Sequence, residues 1–381
     1  MKWEKVKLGE LYEVHNGLSK AGKFFGEGYP FLTFSTVFNN YFIPKQITDL
    51  VQSTEKEQES YSIRRGDVFV TRTSETSDEL GMSCVALKDY PMATYNGFTK
   101  RMRPITNRVF PEYIGYYMRL PSFRGEFRAF STMTTRASLR NEDLLGLEVK
   151  LPSIEIQKQI AGILSVYDDL IENNQKQIKL LEEAAQRLYK EWFVDLRFPG
   201  HENTKIVDGV PEGWSRGLLK ELISVNYGKD HKKAPDDGNI PVYGSGGLMR
   251  KCNKSLFSGE AVLIPRKGSL NNIMYVDETF WTVDTMFYAT MKQPHTAIFV
   301  YFFVKAFDMY SMNIGAAVPS MTIKILDAMD VVIPDKETLE KFDKYAKVYF
   351  NKIKTLQGQN ERLKIARDLL LAKLMSGEVE V

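Results

Sequence analysis

The feature that most constrains this chain is a heptad pattern of apolar residues between Ser153 and Val194. Successive positions lie four and three residues apart in alternation. This mean step near 3.5 predicts a long helix packed along its length against another helix. At about 1.5 Å per residue the segment would be a rod of roughly 60 Å. Ser153 is a suitable N-cap, and Pro199-Gly200 ends the pattern. The seam positions are Ile160, Leu164, Tyr167, Ile171, Asn174, Ile178, Leu181, Ala185, Leu188 and Trp192.

A second heptad segment lies near the C-terminus, at an offset of 182 residues (342 minus 160). No gap is needed to align the two segments, which indicates an internal repeat. Asp335 takes the place of Ser153 as N-cap. Arg367 is the one position that does not suit an apolar seam. Asn174 and Asn360 either fix the register from buried positions or lie at the wet edge of the helix pair. The second seam is Phe342, Ala346, Tyr349, Ile353, Leu356, Asn360, Leu363, Arg367, Leu370 and Leu374.

The segments before the two heptad regions are also repeated. WEKVKLGELYEVHNG at Trp3 is matched by WSRGLLKELISVNYG at Trp214, an offset of 211 (214 minus 3) that also aligns Gly17 with Gly228. GDVFVTR and GEAVLIPR each predict a buried strand that delivers a basic residue, Arg72 or Arg266, to its end. Apolar helices near Glu112 and Ile298 follow, and then Ser138-Leu139 and Ser320-Met321. The second copy is shorter by 29 residues (211 minus 182), and we expect this difference to lie in loops.

These repeats predict an α+β protein of four segments: similar modules at residues 1–150 and 199–332, and long helices at residues 151–198 and 333–381. Module two connects the end of the first helix to the start of the second, so the helices should run antiparallel. We therefore expect two similar α/β modules separated by an antiparallel coiled coil, related by a pseudo-twofold axis. The second helix should return to module one.

The sequence resembles the specificity subunit of type I restriction–modification systems. The resemblance is carried by WEKVKLGELYEVHNGLSK at Trp3, by GDVFVTRTS at Gly66, and most specifically by LPSIEIQKQIAGILSVYDDLIENNQKQIKLLEEAAQRLYKEWF at Leu151. It implies two target-recognition domains that each read one half of a split double-stranded DNA site. It also implies two helices that set the spacing and dock methyltransferase subunits, two of them, with restriction subunits joining the complex. S-adenosylmethionine, ATP and Mg would then belong to the partners.

Motifs for catalysis are missing from the sequence. It has no Asn/Asp-Pro-Pro-aromatic methyltransferase motif and no metal spacing among its four histidines. GLSKAGKF at Gly17 has the spacing of a phosphate loop, but Phe24 stands where Ser or Thr should hold magnesium. We therefore predict a non-catalytic chain that binds no cofactor. Cys84 and Cys252 suggest a reduced, cytoplasmic protein, and no apolar run is long enough for a membrane span.

The net charge of +3 does not by itself indicate a nucleic-acid-binding protein. We expect DNA contacts from polar and basic loop residues, and the strongest candidates are Arg72 and Arg266, because an arginine can pair bidentately with guanine. Each candidate could equally be an ordinary surface residue. The alternative function is a coiled-coil adaptor whose two heads bind proteins. The predicted DNA-binding residues are Lys20, Lys23, Ser35, Thr36, Arg72, Thr73, Ser74, Lys100, Arg101 and Arg136 in module one, and Tyr243, Ser245, Arg250, Lys251, Arg266, Lys267, Ser269 and Asn271 in module two.

Aromatic and apolar residues beyond the seam, Leu180, Tyr189, Trp192, Phe193 and Phe198, have two interpretations. They either pack on the adjacent module or anchor a methyltransferase subunit, because aromatic side chains dominate interfaces.

Overall fold

The structure is a computed structural model that describes residues 3–74, 80–129, 137–312 and 320–381. The chain divides into two compact units. The first unit comprises residues 1–173 and 360–381, and the second comprises residues 174–359. Each unit therefore contains one module together with part of both long helices. Within the described ranges, no helix has the length and apolar character needed to cross a membrane.

The first unit contains a four-stranded sheet of order β2-β9-β5-β7, a three-stranded sheet β4-β3-β8 and the pairs β1-β11 and β10-β6. Its strands are β1 Glu4–Lys7, β2 Tyr12–Asn16, β3 Phe25–Leu32, β4 Leu50–Val51, β5 Val68–Thr71, β6 Thr73–Ser74, β7 Ser83–Val85, β8 Thr94–Tyr95, β9 Thr99–Pro104, β10 Ala137–Ser138 and β11 Glu148–Leu151. Its short helices are α1 Leu8–Leu11, α2 Phe34–Asn39, α3 Glu55–Ser60, α4 Pro111–Tyr117, α5 Pro121–Ala129 and α6 Asn141–Gly146. The first long helix, α7 Ile154–Tyr189, begins in this unit.

The second unit is built on a six-stranded sheet of order β15-β20-β18-β19-β16-β17, with the pairs β12-β13 and β14-β21 beside it. Its strands are β12 Ile206–Val207, β13 Val210–Pro211, β14 Ser215–Leu218, β15 Ile223–Tyr227, β16 Ile240–Gly244, β17 Gly247–Cys252, β18 Phe257–Pro265, β19 Met274–Thr282, β20 Met286–Met291 and β21 Asp330–Ile333. Its helices are α8 Ala297–Lys305, α9 Ile323–Asp327 and the start of the second long helix, α10 Lys336–Ser376. Short 3-10 turns cover Gly22–Phe24, His201–Asn203, Leu219–Glu221 and His231–Lys233.

The sequence repeat appears in the structure as the same strand register. Glu4 pairs with Leu151 in the first unit, and Ser215 pairs with Ile333 in the second; these are the positions that the offsets of 211 and 182 equate. The backbone N–H of Leu8 donates to Leu147, and that of Leu219 donates to Met329, both at 2.8 Å. The two modules therefore share one backbone plan, as the repeat predicts.

Glycine at the paired positions Gly17 and Gly228 is required by close backbone approach. A Cβ atom at Gly17 would overlap the carbonyl oxygen of Asn96, and one at Gly228 would overlap that of Val283. Strand β2 or β15 ends just before the glycine, so the contact fixes where each strand stops. The glycine match in the sequence therefore reflects one shared turn.

Each long helix is capped at the predicted residue. The backbone N–H of Thr338 donates to Asp335 Oδ1 at 3.0 Å, and the N–H of Ile156 lies 3.5 Å from Ser153 Oγ. The first helix changes from α to π geometry over Lys190–Val194. Both α-helices are shorter than the predicted segments 151–198 and 333–381, because their first residues belong to strands β11 and β21 and to the caps.

The helices run antiparallel within each unit, as predicted. In the first unit Ile160 and Leu164 share a core with Leu371 and Leu374, and further along α7 Asp168 meets Arg367. The C-terminal part of α10 therefore does return to module one. In the second unit the ring of Phe193 lies 4.8 Å from that of Phe342, whereas Tyr349, later in α10, lies beside Leu180 and Leu188, earlier in α7.

The predicted seam residues are all buried or partly buried, including Asn174 and Asn360 at 8% and 6% exposure. This burial excludes the wet-edge interpretation of the two asparagines. The aromatic residues Tyr189, Trp192 and Phe198 are buried in the core of the second unit, and Phe193 packs against it. Leu180 is the one member of that group that stays exposed, at 63%. Packing on the adjacent module thus accounts for the other four.

Candidate nucleic-acid interface

Arg72 and Arg266 occupy the same backbone position in the two modules. Arg72 directly follows β5 and Arg266 directly follows β18. The carbonyl of Arg72 accepts from the N–H of Leu139, and the carbonyl of Arg266 accepts from the N–H of Met321, each at 2.9 Å. In both modules the segment that leads to the long helix is therefore hydrogen-bonded to the end of this strand. This agrees with the match of Ser138-Leu139 with Ser320-Met321 in the sequence.

Each of these arginines meets the residue that ends the neighbouring β2 or β15 strand. Arg72 Nη1 donates to Asn16 Oδ1 at 3.4 Å. The guanidinium of Arg266 lies 5.7 Å from the ring centre of Tyr227. Asn16 and Tyr227 are repeat partners, at the offset of 211. The arginine is thus constant, whereas the residue that contacts it differs between the modules.

In module one the arginine lines an open cleft of about 420 Å³. Lys100 reaches the cleft from strand β9, where it pairs with Asn16 on β2 and with Val70 on β5. The Lys100 ammonium donates to Asn141 Oδ1, the first residue of α6. The cleft is lined by Asn16, Arg72, Lys100, Leu139, Arg140, Asn141 and Glu142.

Charges in this cleft are unevenly compensated. Arg140 binds Asp143 through two hydrogen bonds, of 2.8 and 3.1 Å. Arg72 and Lys100 form no ion pair with any carboxylate in the described part of the chain, and Arg72 Nε is buried without an acceptor there. Burial first, and then the charge of Arg72, lower the pKa of Lys100. The two cations therefore form a positive pocket that an anion would stabilise.

In module two the equivalent positions are aromatic and apolar. Phe287 pairs with Tyr227 on β15 and with Ile264 on β18, as Lys100 pairs with Asn16 and Val70. The rings of Tyr227 and Phe287 lie 5.1 Å apart, edge to face. Ile323 begins α9 where Asn141 begins α6. Arg266 Nη1 donates to the carbonyl of Asp284 at 3.1 Å.

The other module-one predictions fall into three groups. Lys20 is held inside the module, with its ammonium 2.8 Å from Glu57 and 2.7 Å from the carbonyl of Gln52. Lys23 and Ser35 are exposed, and Thr36 is half-buried against Thr33. The side chains of Thr73 and Ser74, and the whole of Arg136, lie outside the described residues.

Arg101, a predicted DNA contact, has its side chain pointing into the module. Arg101 is only 6% exposed. Its Nη1 donates to the carbonyl of Ser62 at 2.8 Å, and its guanidinium lies 5.5 Å from the ring centre of Tyr95. Lys100 and Arg101 point to opposite faces of β9, as neighbours on a strand do. Lys100 therefore belongs to the cleft and Arg101 to the module interior.

Three of the module-two predictions also correspond to residues with internal contacts. The Tyr243 hydroxyl donates to Glu278 at 2.5 Å. Arg250 pairs with Asp236 and donates to the carbonyl of Ala234. Asn271 joins two loops through Asp308 and Met309. In the structure the side chains of these three predicted residues are therefore held by contacts inside module two. Lys251, Lys267 and Ser269 are exposed, and Ser245 is half-buried beside Gly268.

Sequence reasoning missed Asn16, Arg140 and Asn141 in module one, and Tyr227 and Phe287 in module two. A signal for Asn16 and Tyr227 was available, because both immediately precede the paired glycines Gly17 and Gly228. In the described ranges, no group of three or more His, Cys, Asp or Glu side chains could hold a metal ion. Cys84 and Cys252 are both buried free thiols.

Comparison with known proteins gives a consistent result. Residues 1–183 and 211–364 match a family described as the type I restriction modification DNA specificity domain. The chain is 26% identical to the type I restriction enzyme MjaIX specificity subunit of Methanocaldococcus jannaschii, over 100% of this chain and 94% of that protein. It is 22% identical to the HindI specificity subunit of Haemophilus influenzae, over 99% of both.

A solved structure shares the fold. The S subunit of the type I restriction–modification system from M. genitalium superposes with a TM-score of 0.55 at 17% sequence identity, covering 98% of this chain and 96% of the other. At this identity the likeness concerns the fold alone. Two matches to the family along one chain agree with the two modules that share one strand register.

Proposed function

We propose that the two modules of this chain read the two halves of a bipartite DNA site, because the chain belongs to the type I restriction–modification DNA specificity family. Members of this family are non-catalytic DNA-recognition components of restriction–modification complexes. Module one reads one half-site and module two reads the other. Methylation and cleavage are left to methyltransferase and restriction subunits, which bind S-adenosylmethionine, ATP and Mg. The complex acts on double-stranded DNA in the cytoplasm.

One observation carries this proposal: the same backbone position presents an arginine in both modules, with different neighbours. Arg72 has Asn16 and Lys100 beside it, whereas Arg266 has Tyr227. A constant arginine supplies affinity for phosphate or guanine. Different neighbours give each module its own preference. Two such modules on one chain are suited to an asymmetric, split target.

The long helices fit a role in spacing and docking. Half-sites read from one face of B-DNA lie about 34 Å apart, or a multiple of this. α7 and α10 contain 36 and 41 residues, and in both units they run antiparallel as packed cores rather than as loose linkers. We therefore assign the spacer length to the long helices, and a change in helix length should change the spacer and leave the half-sites unchanged.

Exposed apolar residues recur at equivalent positions of the two helices. Ile163 and Val166 on α7 are 38% and 55% exposed, and Tyr345 and Val348 on α10 are 56% and 65% exposed. Both pairs are related by the offset of 182. Exposed apolar residues that recur in this way indicate interaction surfaces. Two equivalent surfaces suit two copies of one partner, and we assign them to two methyltransferase subunits.

The experiment begins with the recognised site. Methylation mapping of DNA from cells with and without the gene identifies the bipartite sequence. Binding of the complex with methyltransferase is then measured on duplexes in which either half-site is scrambled. Arg72→Ala should lower affinity for the duplex, and Arg266→Ala should weaken discrimination at one half-site, each by about 1–3 kcal/mol.

Matched controls use exposed lysines away from the strand ends. Lys88→Ala, in module one, and Lys220→Ala, in module two, should change neither affinity nor half-site preference. If Arg72→Ala and Arg266→Ala both leave affinity and half-site preference intact, these arginines do not read DNA. A salt titration tests the adaptor alternative, because a DNA-reading complex loses affinity steeply with salt and a protein-binding adaptor has no specific duplex affinity to lose.

A further inference from the structure

The two modules differ most clearly in the charge around the shared arginine. Module one surrounds it with Lys100 and Asn141. Module two has Phe287 at the strand position equivalent to Lys100 and Ile323 at the helix start equivalent to Asn141. This difference bears on what part of DNA each module contacts, and the inference therefore rests on the proposed function.

We propose that the cleft between Arg72 and Lys100 is a phosphate-binding site that module one has and module two lacks. Three observations on the described residues carry it. Lys100 is only 5% exposed, yet its ammonium reaches the cleft wall at Asn141. Arg72 has a buried Nε with no acceptor in the described chain. The cleft between the two residues measures about 420 Å³ and is open to solvent.

The electrostatics favour an anion over a neutral base edge. Two cations held side by side repel each other. Burial lowers the pKa of Lys100 most, and the charge of Arg72 lowers it further. A phosphate oxygen between them would accept from both and relieve the repulsion. Glu142 also lines the cleft and Asp143 is bound to Arg140, so one carboxylate at the rim partly offsets the two cations.

Asn16 and Asn141 act as positioning residues in this arrangement. Asn16 holds one Nη1 of Arg72, and Asn141 holds the Lys100 ammonium. Each asparagine oxygen accepts one hydrogen bond from a cation, and the other N–H donors of that cation remain for the ligand. In module two the arginine instead faces the ring of Tyr227, which suits contact with a base or sugar more than with a phosphate.

The test compares charge-removing variants of the two modules in the assembled complex with methyltransferase. Lys100→Met keeps the length of the side chain and removes its charge. On a duplex with the bipartite site we expect a loss of roughly tenfold in affinity. The slope of log affinity against log salt should fall by about one. The loss should be equal for intact and scrambled half-sites. Lys100→Arg should keep the slope, and Lys88→Met, which removes an exposed lysine outside the cleft, should leave it unchanged.

A second measurement keeps the proposal testable if Lys100→Met impairs folding. Neutral methylphosphonate linkages are placed one at a time along half-site one, and binding of the unmodified protein is measured. One linkage should reproduce the Lys100→Met loss, and a complex with Lys100→Met should no longer respond to it. If no single linkage in half-site one lowers affinity, the phosphate assignment is overturned.

Other outcomes are distinguishable. An unchanged salt slope in Lys100→Met, or a loss confined to the intact half-site, would mean a base contact and overturn the phosphate site. Binding of inorganic phosphate that Lys100→Met abolishes, with an unchanged DNA salt slope, would assign the cleft to free phosphate and overturn the DNA contact. Failure of the proposed function itself looks different, since the unmodified complex would then show no preference for a bipartite duplex.

Discussion

Arg367 Nη1 lies 2.5 Å from Asp168 Oδ1 across the helix seam of the first unit. The guanidinium also donates to Asp368 and stacks 4.5 Å from the ring centre of Tyr41. Asp168 accepts a hydrogen bond from the Tyr116 hydroxyl at 2.5 Å. Burial first, and then the Asp168 charge, raise the pKa of Tyr116, so its hydroxyl stays protonated and donates. Arg367, the one residue that does not suit an apolar seam, is therefore bound by Asp168 and Asp368 and stacked on Tyr41.

Removing one partner of this pair should destabilise the first unit. Arg367→Met and Asp168→Leu should each cost about 2–4 kcal/mol in the free energy of unfolding. Arg367→Met leaves Asp168 without its cation, and Asp168→Leu leaves Arg367 with Asp368 alone and the Tyr116 hydroxyl without an acceptor. The double variant should regain the part of this loss that comes from the unpaired charge. Chemical denaturation of the full chain, followed by circular dichroism, gives the values.

The control for the seam pair is Lys364→Met, which removes an exposed ion pair with Glu361 and should change stability by less than about 0.5 kcal/mol. Single variants at the seam that cost no more than this control would show that the Asp168–Arg367 pair behaves as a surface pair.

The cap of α10 should make stability depend on pH. Burial raises the pKa of Asp335, but the hydrogen bonds that its carboxylate accepts from Thr338 and Trp214 outweigh burial, and the net shift is downward from 3.8. A folded-state pKa below the unfolded value stabilises the fold above pH 3.8, and this contribution is lost as the pH falls through the folded-state value.

Asp335→Asn should keep the bond from the Thr338 N–H to Oδ1, lose the acceptor of the Trp214 N–H, and remove this pH dependence. Asp335→Ala should cost about 1–2 kcal/mol at neutral pH. Denaturation curves between neutral and acidic pH test both. Equal pH profiles for Asp335→Asn and the unmodified chain would contradict the role of the charge. Ser153, the equivalent cap of α7, is the natural comparison, since it carries no charge.

The exposed apolar pairs should each hold one methyltransferase subunit. Val166→Asp should reduce binding at one surface, and Val348→Asp at the other, by more than about tenfold, because a charge at the centre of an apolar interface is costly. Sedimentation of the complex should then show one bound methyltransferase in place of two.

Folding of these variants should be intact, since Val166 and Val348 are exposed in the free chain. Gln175→Asp serves as the control, because Gln175 is an exposed polar residue of α7 outside the pair Ile163 and Val166. Full binding of two methyltransferase subunits by the double variant Val166→Asp/Val348→Asp would exclude these surfaces.

The helix pair and the repeat could be predicted from the sequence because they depend on local periodicity. A step near 3.5 residues marks a helix seam, and an ungapped offset of 182 marks a repeat, whatever surrounds them. Gly17 and Gly228, the caps Ser153 and Asp335, and the strand-end residues Arg72 and Arg266 followed from the same alignment. Each of these features is set by residues close together in the chain or by the repeat itself.

What the sequence by itself determined is thus the duplicated plan, its register and the antiparallel direction of the helices. Only the tertiary structure decided which polar residues are free to bind. Lys100 and Arg101 are neighbours with similar charge, but Lys100 meets Asn141, 41 residues away, and opens on the cleft, whereas Arg101 is buried against Ser62 and Tyr95. Burial of a side chain depends on segments far apart in the chain that packing brings together, and no periodicity near the residue records them.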